Sequence, residues 1–379
     1  MKIHALTALL SSFSFRGTWK DNAALKPKYA RWFFALVLFC QFTSANADPF
    51  LQEMLAGVED RNRSAVLMFQ SPDKQVNAVV GKYRDGGPAA SMSDLFLLAS
   101  ISKLYVAVAL LKLDETGKLN VDDPASKWLP ADVVRGFDGL KGVTIAHLLQ
   151  MRSGIPDYLD GDYIERIFDE GPLANPVRQG LMQVYGSVLL FAPGTRFDYS
   201  NSNYLLAQLI LEGATGLAFD KALAQLVFNP ARLHRTRVPG YNSGPDELVA
   251  GRENGMLETS AQYQLYYSGS TGMGDGGLVA PARDVISFYY ALFVDGTLLT
   301  EVSLQRLIAD TDSDNYGLGI EVEMIEGLGL VLGHSGRDPG YLNNVRFALD
   351  HDAIAVQLAG DGDFVGDLAM KMLEHYIQQ

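Results

Sequence analysis

The sequence of 379 residues has little cysteine, a deficit of positive charge and no long hydrophobic segment. Its single cysteine, Cys40, has no partner within the chain for a disulfide. The six histidines show no metal-ligand spacing, so we expect no metal site and no cofactor. Thirty-one lysines and arginines face 44 aspartates and glutamates, a net charge of −13. A surface of this sign repels nucleic acid and anionic lipid, and we expect neither as a partner.

The longest apolar run near the N-terminus, WFFALVLFC (32–40), is too short to span a bilayer comfortably. It follows basic residues and precedes Ala45-Asn46-Ala47, the order of a secretory signal. We predict an N-terminal extension and signal peptide over residues 1–47, with cleavage near Ala47/Asp48. The mature protein is expected to be periplasmic or secreted, without stable membrane insertion. Cleavage would remove Cys40 and change the net charge from −13 to −18.

The apolar pattern predicts strands at both ends of the chain and helices between them. Residues 102–115 are apolar nearly all round, which is typical of a central buried helix. The other predicted elements are a hairpin (65–69 and 75–80), helical segments between about 143 and 228 that include PVRQGLMQVYGSVLL (176–190), a helix at 284–295, four C-terminal strands and a closing helix at 365–377.

This order predicts an α+β fold, in which one sheet is assembled from distant segments and an all-helical lobe is inserted between them. We predict one domain over residues 48–379. Its α/β part comprises about 48–130 and 275–379, and its helical lobe comprises about 131–274. The cleft between the two parts is the expected place for a site.

Ser100 and Lys103, in the stretch SISK, lie three residues apart at the start of the predicted buried helix. At this spacing they share one face of the helix. A serine hydroxyl is a poor nucleophile unless a base takes its proton. Burial in apolar surroundings disfavours an ammonium, so a lysine there can serve as that base. The alternative is that Ser100 caps the helix and Lys103 extends into water.

Two further stretches place polar groups at the ends of predicted elements. In YSN, Tyr199 and Asn201 precede a helix, where a phenol can relay protons. The alternative is that Asn201 or Ser202 caps the helix and Tyr199 packs with Tyr204 in a core. In HSG, His334 to Gly336 end an apolar strand, where an extended substrate can pair with the backbone. The alternative is a hairpin corner with a surface histidine.

Two other motifs are poor fits. GMGDGG (272–277) satisfies the dinucleotide fingerprint, but no clear strand precedes it and no βαβ unit surrounds it. GHSGR resembles a nucleophile elbow centred on Ser335, but Arg337 stands where the last glycine is needed. Neither motif is therefore assigned a role of its own.

Together SISK, YSN and HSG resemble the β-lactamase-like, penicillin-recognising serine hydrolases. The similarity is greatest to the branch with class C β-lactamases, D-alanyl-D-alanine carboxypeptidases, D-aminopeptidases and family VIII esterases. The motifs follow in order, about 100 and then about 135 residues apart, and connecting segments such as VTIAHLLQMRSGIPDY also match. The resemblance covers roughly residues 50–379. It implies this family's α+β fold, a mainly antiparallel sheet flanked by helices with an inserted all-helical lobe.

The resemblance also implies roles for individual residues. Ser100 would be the acylated nucleophile, Lys103 its activator and Tyr199 the general base and acid. The oxyanion hole would be formed by the backbone N–H groups of Ser100 and Arg337. The implied substrate-binding residues are Asn201, His334, Ser335, Gly336 and Arg337.

The implied activity is acyl-enzyme hydrolysis of a small-molecule or peptide substrate. A D-alanyl-D-alanine carboxypeptidase or another D-amino-acid peptide hydrolase comes first, with a peptidoglycan stem peptide as candidate substrate. The alternatives are a carboxylesterase or weak β-lactamase on the same scaffold, and a non-catalytic penicillin-binding or cell-wall-binding module. His334 stands where β-lactamases have lysine and offers less positive charge to a β-lactam carboxylate. The acidic stretch 157–171 is predicted to be a solvated loop; in the cleft it would disfavour anionic substrates.

Overall fold

A computed structural model describes most of the chain after residue 47. The described ranges are 48–59, 63–160, 162–163, 175–239, 248–253, 256–257, 272–309, 314–364 and 366–378. The predicted signal peptide lies outside them and stays a prediction. Among these residues, no helix combines the length and the apolarity that crossing a bilayer requires.

The strands fall into one six-stranded sheet and two short pairs. They are β1 (Ala65–Gln70), β2 (Gln75–Val80), β3 (Phe96–Leu97), β4 (Arg252–Glu253), β5 (Met256–Leu257), β6 (Val279–Ala280), β7 (Glu321–Ile325), β8 (Gly329–Asp338), β9 (Tyr341–Ala348) and β10 (Ala353–Ala359). The large sheet has the order β2-β1-β10-β9-β8-β7 and is antiparallel throughout. The N-terminal hairpin therefore pairs with the last strand, as expected for a sheet built from both ends of the chain.

Ten α-helices are described around and between these strands. They are α1 (Pro49–Glu59), α2 (Ser102–Glu115), α3 (Ala131–Arg135), α4 (Ile145–Leu149), α5 (Pro176–Met182), α6 (Ser202–Thr215), α7 (Phe219–Leu223), α8 (Ala282–Phe293), α9 (Glu301–Leu307) and α10 (Leu368–Ile377). The helix predicted over 176–190 ends at Met182, because the chain turns at Gly186, whose φ is +74°. Only glycine adopts that conformation without strain.

The sheet is buried on both faces because its side chains alternate between two cores. Leu67 and Phe69 of β1 join the core that contains α10, whereas Val66 and Met68 join the core around α2. Helix α2 is buried along most of its length, which explains its nearly continuous apolar sequence. Gly336 of β8 lies against the turn that precedes α2, so the sheet positions the N-terminal end of this helix.

The predicted α+β fold class, with a mainly antiparallel sheet flanked by helices, is confirmed. Helices α3 to α7 follow one another in the middle of the chain, and the described part of residues 131–274 also includes the short pair β4–β5. The division into two parts at about residues 130 and 275 stays a prediction.

Candidate active site

Ser100 lies in a single 3₁₀ turn, Ala99–Ile101, immediately before α2. The residue before it, Ala99, has φ +51° and is buried. A left-handed alanine costs on the order of 1–3 kcal/mol and persists only where packing enforces it. The turn therefore holds the Ser100 hydroxyl in a defined position at the N-terminal end of the helix, where backbone N–H groups are free of helical partners.

Lys103 is fully buried one turn later and donates three hydrogen bonds. Its Nζ lies 2.9 Å from Ser100 Oγ, 2.9 Å from Asn201 Oδ1 and 2.5 Å from the Asp275 carbonyl oxygen. The N-cap residue of α2 is Ile101, and no side-chain hydrogen bond caps the helix. The alternative in which Ser100 caps the helix and Lys103 reaches water is therefore wrong for this structure.

The YSN stretch contributes Tyr199 and Asn201 on the other side of the Lys103 amine. The Tyr199 ring centroid lies 5.1 Å from Nζ, and this side chain is 36% exposed rather than packed in the core. Asn201 does not cap α6 with its side chain. Instead its amide group donates to Asp157 Oδ2 at 3.0 Å, and its backbone N–H donates to Oδ1 at 2.9 Å. Asp157 thereby orients the amide oxygen toward Lys103.

Asp157 and Asp275 hold the side chains of Asn201 and Lys103 in position. Burial raises the pKa of Asp157 and that of Asp275. Asp275 accepts a hydrogen bond from the Tyr158 hydroxyl at 2.8 Å, while its carbonyl holds Lys103. The loop before β6 and the loop after α4 are thus tied together across the lysine.

His334 of β8 is buried and presents an uncharged imidazole to the site. Its Nδ1 lies 2.5 Å from the Ser335 carbonyl, which can only accept, so the proton resides on Nδ1. Its Nε2, 2.9 Å from the Tyr316 hydroxyl, then accepts from that hydroxyl. Burial lowers the pKa of His334 to about 4 and outweighs the opposite effect of Glu321. His334 therefore supplies no positive charge near neutral pH.

Ser335 faces a buried ion pair rather than open solvent. Its N–H donates to Glu321 Oε1 at 2.9 Å, and Arg346 Nη2 donates to its hydroxyl at 2.9 Å. Arg346 also pairs with Glu321 Oε2 at 2.7 Å and with Asp367 at 2.8 Å. Burial alone would raise the pKa of Glu321, but its pKa lies below the usual value because the neighbouring His334, Arg346 and the Ser335 N–H stabilise the carboxylate.

Arg337 offers its backbone rather than its side chain to the cleft. Its side chain is 63% exposed, and the guanidinium pairs with Glu253 at 3.0 Å. Backbone N–H groups two residues apart in a strand point toward the same edge. Since the Ser335 N–H points to the β7 edge, the Arg337 N–H points there too, beyond the last β7–β8 pair, Glu321 with Gly333.

Gly336 allows β8 to approach the Ser100 turn. A Cβ atom at this position would lie 2.3 Å from the Leu98 carbonyl oxygen, a backbone atom that cannot move aside alone. We expect Gly336→Ala to displace the strand from the turn, lower kcat/KM about 10²-fold and destabilise the fold by about 1–3 kcal/mol. Steady-state kinetics and thermal unfolding measure both effects.

Gly142→Ala is the matched control for this prediction. A Cβ there meets only Pro193 Cγ, at the ordinary contact distance of 3.9 Å. The control should keep wild-type kinetics. Wild-type kcat/KM in Gly336→Ala would show that the close approach of strand and turn is unimportant.

These residues surround a cavity of about 370 Å³. The structure brings all eight predicted site residues to or beside it. Six of them line the cavity, and the other two contact lining residues: Lys103 contacts Ser100, and Gly336 lies against Ala99. Part of the acidic stretch predicted to be a solvated loop, namely Tyr158, Leu159 and Tyr163, lines the cavity too. The prediction is wrong for these residues; residues 161 and 164–171 lie outside the described ranges.

Sequence reasoning missed several residues that shape the site. They are Asp157, Tyr158, Asp275, Tyr316 and Glu321. Asp157 and Tyr158 belong to the matching segment VTIAHLLQMRSGIPDY, which was the available signal for them. Tyr316 and Glu321 belong to one of the predicted C-terminal strands, whose sequence contains no catalytic motif.

Comparisons with known proteins agree with this geometry. A family model described as Beta-lactamase matches residues 48–369. A penicillin-binding protein of Bacillus subtilis is 28% identical over 287 residues, which make up 70% of this chain and 61% of the relative. Esterase EstB of Burkholderia gladioli is 30% identical over 265 residues, 63% of this chain and 66% of the relative. Each match thus spans less than two thirds of the relative's own length.

A solved structure extends the comparison over nearly the whole fold. The D-stereospecific amidohydrolase from a Streptomyces species is 25% identical, with a TM-score of 0.73 over 88% of this chain and 99% of that one. The family model covers far more than half of the sequence, and the antiparallel sheet and SISK helix stand where the resemblance placed them. The chain belongs to the beta-lactamase family of serine hydrolases.

Proposed function

We propose that this chain hydrolyses a small amide or ester through an acyl-enzyme on Ser100, and that D-amino-acid peptides or amides are its first substrate class. The observation that carries the proposal is the buried Lys103 amine, 2.9 Å from Ser100 Oγ at the wall of the cavity. An amine in this position can take the hydroxyl proton as the oxygen attacks.

Acylation requires removal of the Ser100 proton, stabilisation of the oxyanion and protonation of the leaving group. As a neutral amine, Lys103 keeps its two N–H groups on Asn201 Oδ1 and the Asp275 carbonyl, and its lone pair takes the Ser100 proton while Oγ bonds to the substrate carbonyl carbon. The N–H groups of Ser100 and Arg337 stabilise the oxyanion, and each such donor contributes about 10²–10³ in rate. The C–N or C–O bond then breaks, and Tyr199 donates its own hydroxyl proton to the leaving group, which departs as an amine or alcohol and leaves Tyr199 as a phenolate.

Deacylation repeats these steps with water as nucleophile. Tyr199 is placed for this because its ring lies at the cavity wall, 5.1 Å from the Lys103 amine, with part of its surface in solvent. It takes a proton from the water as the new C–O bond forms. The ester bond to Ser100 then breaks, Oγ recovers its proton from Lys103, and the carboxylic acid leaves.

The D-amino-acid class is supported by the similarity to the D-stereospecific amidohydrolase, which extends over 99% of that structure. A cavity of about 370 Å³ suits one or two small residues rather than a large acyl chain. An ester substrate is the second candidate, supported by the 30% identity to esterase EstB.

The test is a panel of chromogenic substrates given to the purified chain: the p-nitroanilides of D-alanine and L-alanine, p-nitrophenyl butyrate and a chromogenic cephalosporin. We expect the D-anilide to be cleaved at least about tenfold faster than the L-anilide, and rapid quenching to trap an acyl group on Ser100 by mass spectrometry. Fast cleavage of the ester alone would favour the esterase. A Ser100 adduct that never turns over would favour a penicillin-binding module and contradict the proposal.

A further inference from the structure

The carboxylate of Glu321 lies at the cavity wall and is held by three hydrogen-bond donors of the chain. Its Oε1 accepts the Ser335 N–H at 2.9 Å, and its Oε2 lies 3.4 Å from the Ser335 hydroxyl and 2.7 Å from Arg346 Nη1. Glu321 itself lines the cavity, and 24% of its side chain is exposed. A backbone N–H, a hydroxyl and a guanidinium thus converge on one carboxylate that belongs to the chain.

Such a set of donors is well suited to an anion. Arg346 would remain in place without Glu321, because its Nε also donates to Asp367 at 2.8 Å and its Nη2 to Ser335 at 2.9 Å. A substrate carboxylate that approached Ser335 would therefore find the donors already engaged. It would also meet a fixed like charge, which opposes binding.

The remaining charges that line the cavity do not offset this effect. Asp275 and Asp338 are acidic, and the one lining arginine among the described residues, Arg337, is paired with Glu253. His334 is uncharged near neutral pH, because burial lowers its pKa to about 4. Lys103 is committed to Ser100, Asn201 and the Asp275 carbonyl.

We propose that Glu321 is a specificity-determining residue that excludes substrates with a carboxylate next to the scissile bond and restricts the site to neutral amides and esters. This inference rests on the proposed function and narrows it. It favours an amidase or a peptidase acting on neutral leaving groups over a D-alanyl-D-alanine carboxypeptidase or a β-lactamase, whose substrates carry that carboxylate.

The test compares two covalent labels of Ser100 in the wild type and in Glu321→Gln. A fluorescent penicillin carries a carboxylate; Oγ bonds to the lactam carbonyl as the C–N bond breaks and the nitrogen takes a proton. A fluorophosphonate carries none; Oγ bonds to phosphorus as fluoride leaves. We expect the ratio of the penicillin to the fluorophosphonate rate constant to rise at least about tenfold in Glu321→Gln, because the like charge is gone and the donors are free.

Glu323→Gln is the matched control, since it removes one charge from the same face of β7 two residues away. Its ratio should stay at the wild-type value; an equal rise there would reveal a general charge effect and overturn the role of Glu321. An unchanged ratio in a Glu321→Gln protein that melts cooperatively and still reacts with the fluorophosphonate would also overturn it.

Hydrolysis of D-alanyl-D-alanine peptides with an amide or a free acid end gives a second readout. The wild type should prefer the amide, and Glu321→Gln should narrow that preference by a similar factor. Failure of the proposed function has a different signature, because neither label would then react with Ser100 in any variant. That outcome would reject the hydrolase and the specificity role together.

Discussion

Replacing Ser100 by alanine should lower kcat/KM for amide and ester substrates by about 10⁴-fold or more while the fold is retained. Oγ is the only heavy atom that the substitution removes, and without it no acyl-enzyme forms. Residual catalysis would come from the oxyanion donors and from binding alone. Stability should change little, because the loss is one hydrogen bond from Lys103, about 1 kcal/mol.

Two measurements test this expectation. Steady-state kinetics on the preferred chromogenic substrate give the loss, and intact mass after fluorophosphonate treatment shows whether any serine still reacts. Ser287→Ala is the control, since Ser287 is exposed on α8 and its hydroxyl donates to the Arg283 carbonyl. Activity of Ser100→Ala within about tenfold of wild type would mean that another residue is the nucleophile.

The pairing of Ser100 with Lys103 could be predicted because it is a local relation. Two residues three apart at the start of a helix share a face whatever the rest of the chain does. The buried setting of the pair was also predictable, since residues 102–115 are apolar nearly all round. That SISK, YSN and HSG belong to one site was predicted from the family resemblance. Local sequence patterns alone do not bring such distant segments together.

The charges that tune the site could not be predicted, because they depend on strand register. Glu321 reaches Ser335 only because β7 and β8 pair with Glu321 opposite Gly333. Asp157 reaches Asn201 across 44 residues, and the Asp275 carbonyl reaches Lys103 across 172. Nothing in the local patterns of these segments indicates such distant partners.

Element boundaries show the same division between local and distant causes. The N-terminal hairpin was predicted within one residue, because alternation and a turn signal specify it locally. The helix predicted over 176–190 ends at Met182 instead. There the Gly186 N–H donates to the Gly136 carbonyl, a contact between segments that periodicity does not reveal.

Replacing Lys103 by methionine should lower kcat/KM by about 10³-fold or more, because it removes the amine 2.9 Å from Ser100 Oγ that takes the hydroxyl proton. Methionine has a similar length and avoids the cost of burying a polar amine, but it leaves Asn201 Oδ1 and the Asp275 carbonyl without this donor. These effects oppose each other, so we expect the melting temperature to change by less than about 5 °C.

Lys103→Arg separates proton transfer from packing and charge. Arginine keeps the positive charge and the donors but does not give up its proton in proteins, so it should be as inactive as the methionine variant. Lys112→Met is the matched control on the same helix; its Nζ donates to the Leu298 carbonyl at 2.5 Å, away from the cavity. It should keep wild-type kcat/KM. Substantial activity in Lys103→Arg would show that Lys103 acts through its charge alone, and the proton would then have to pass directly from Ser100 to Tyr199.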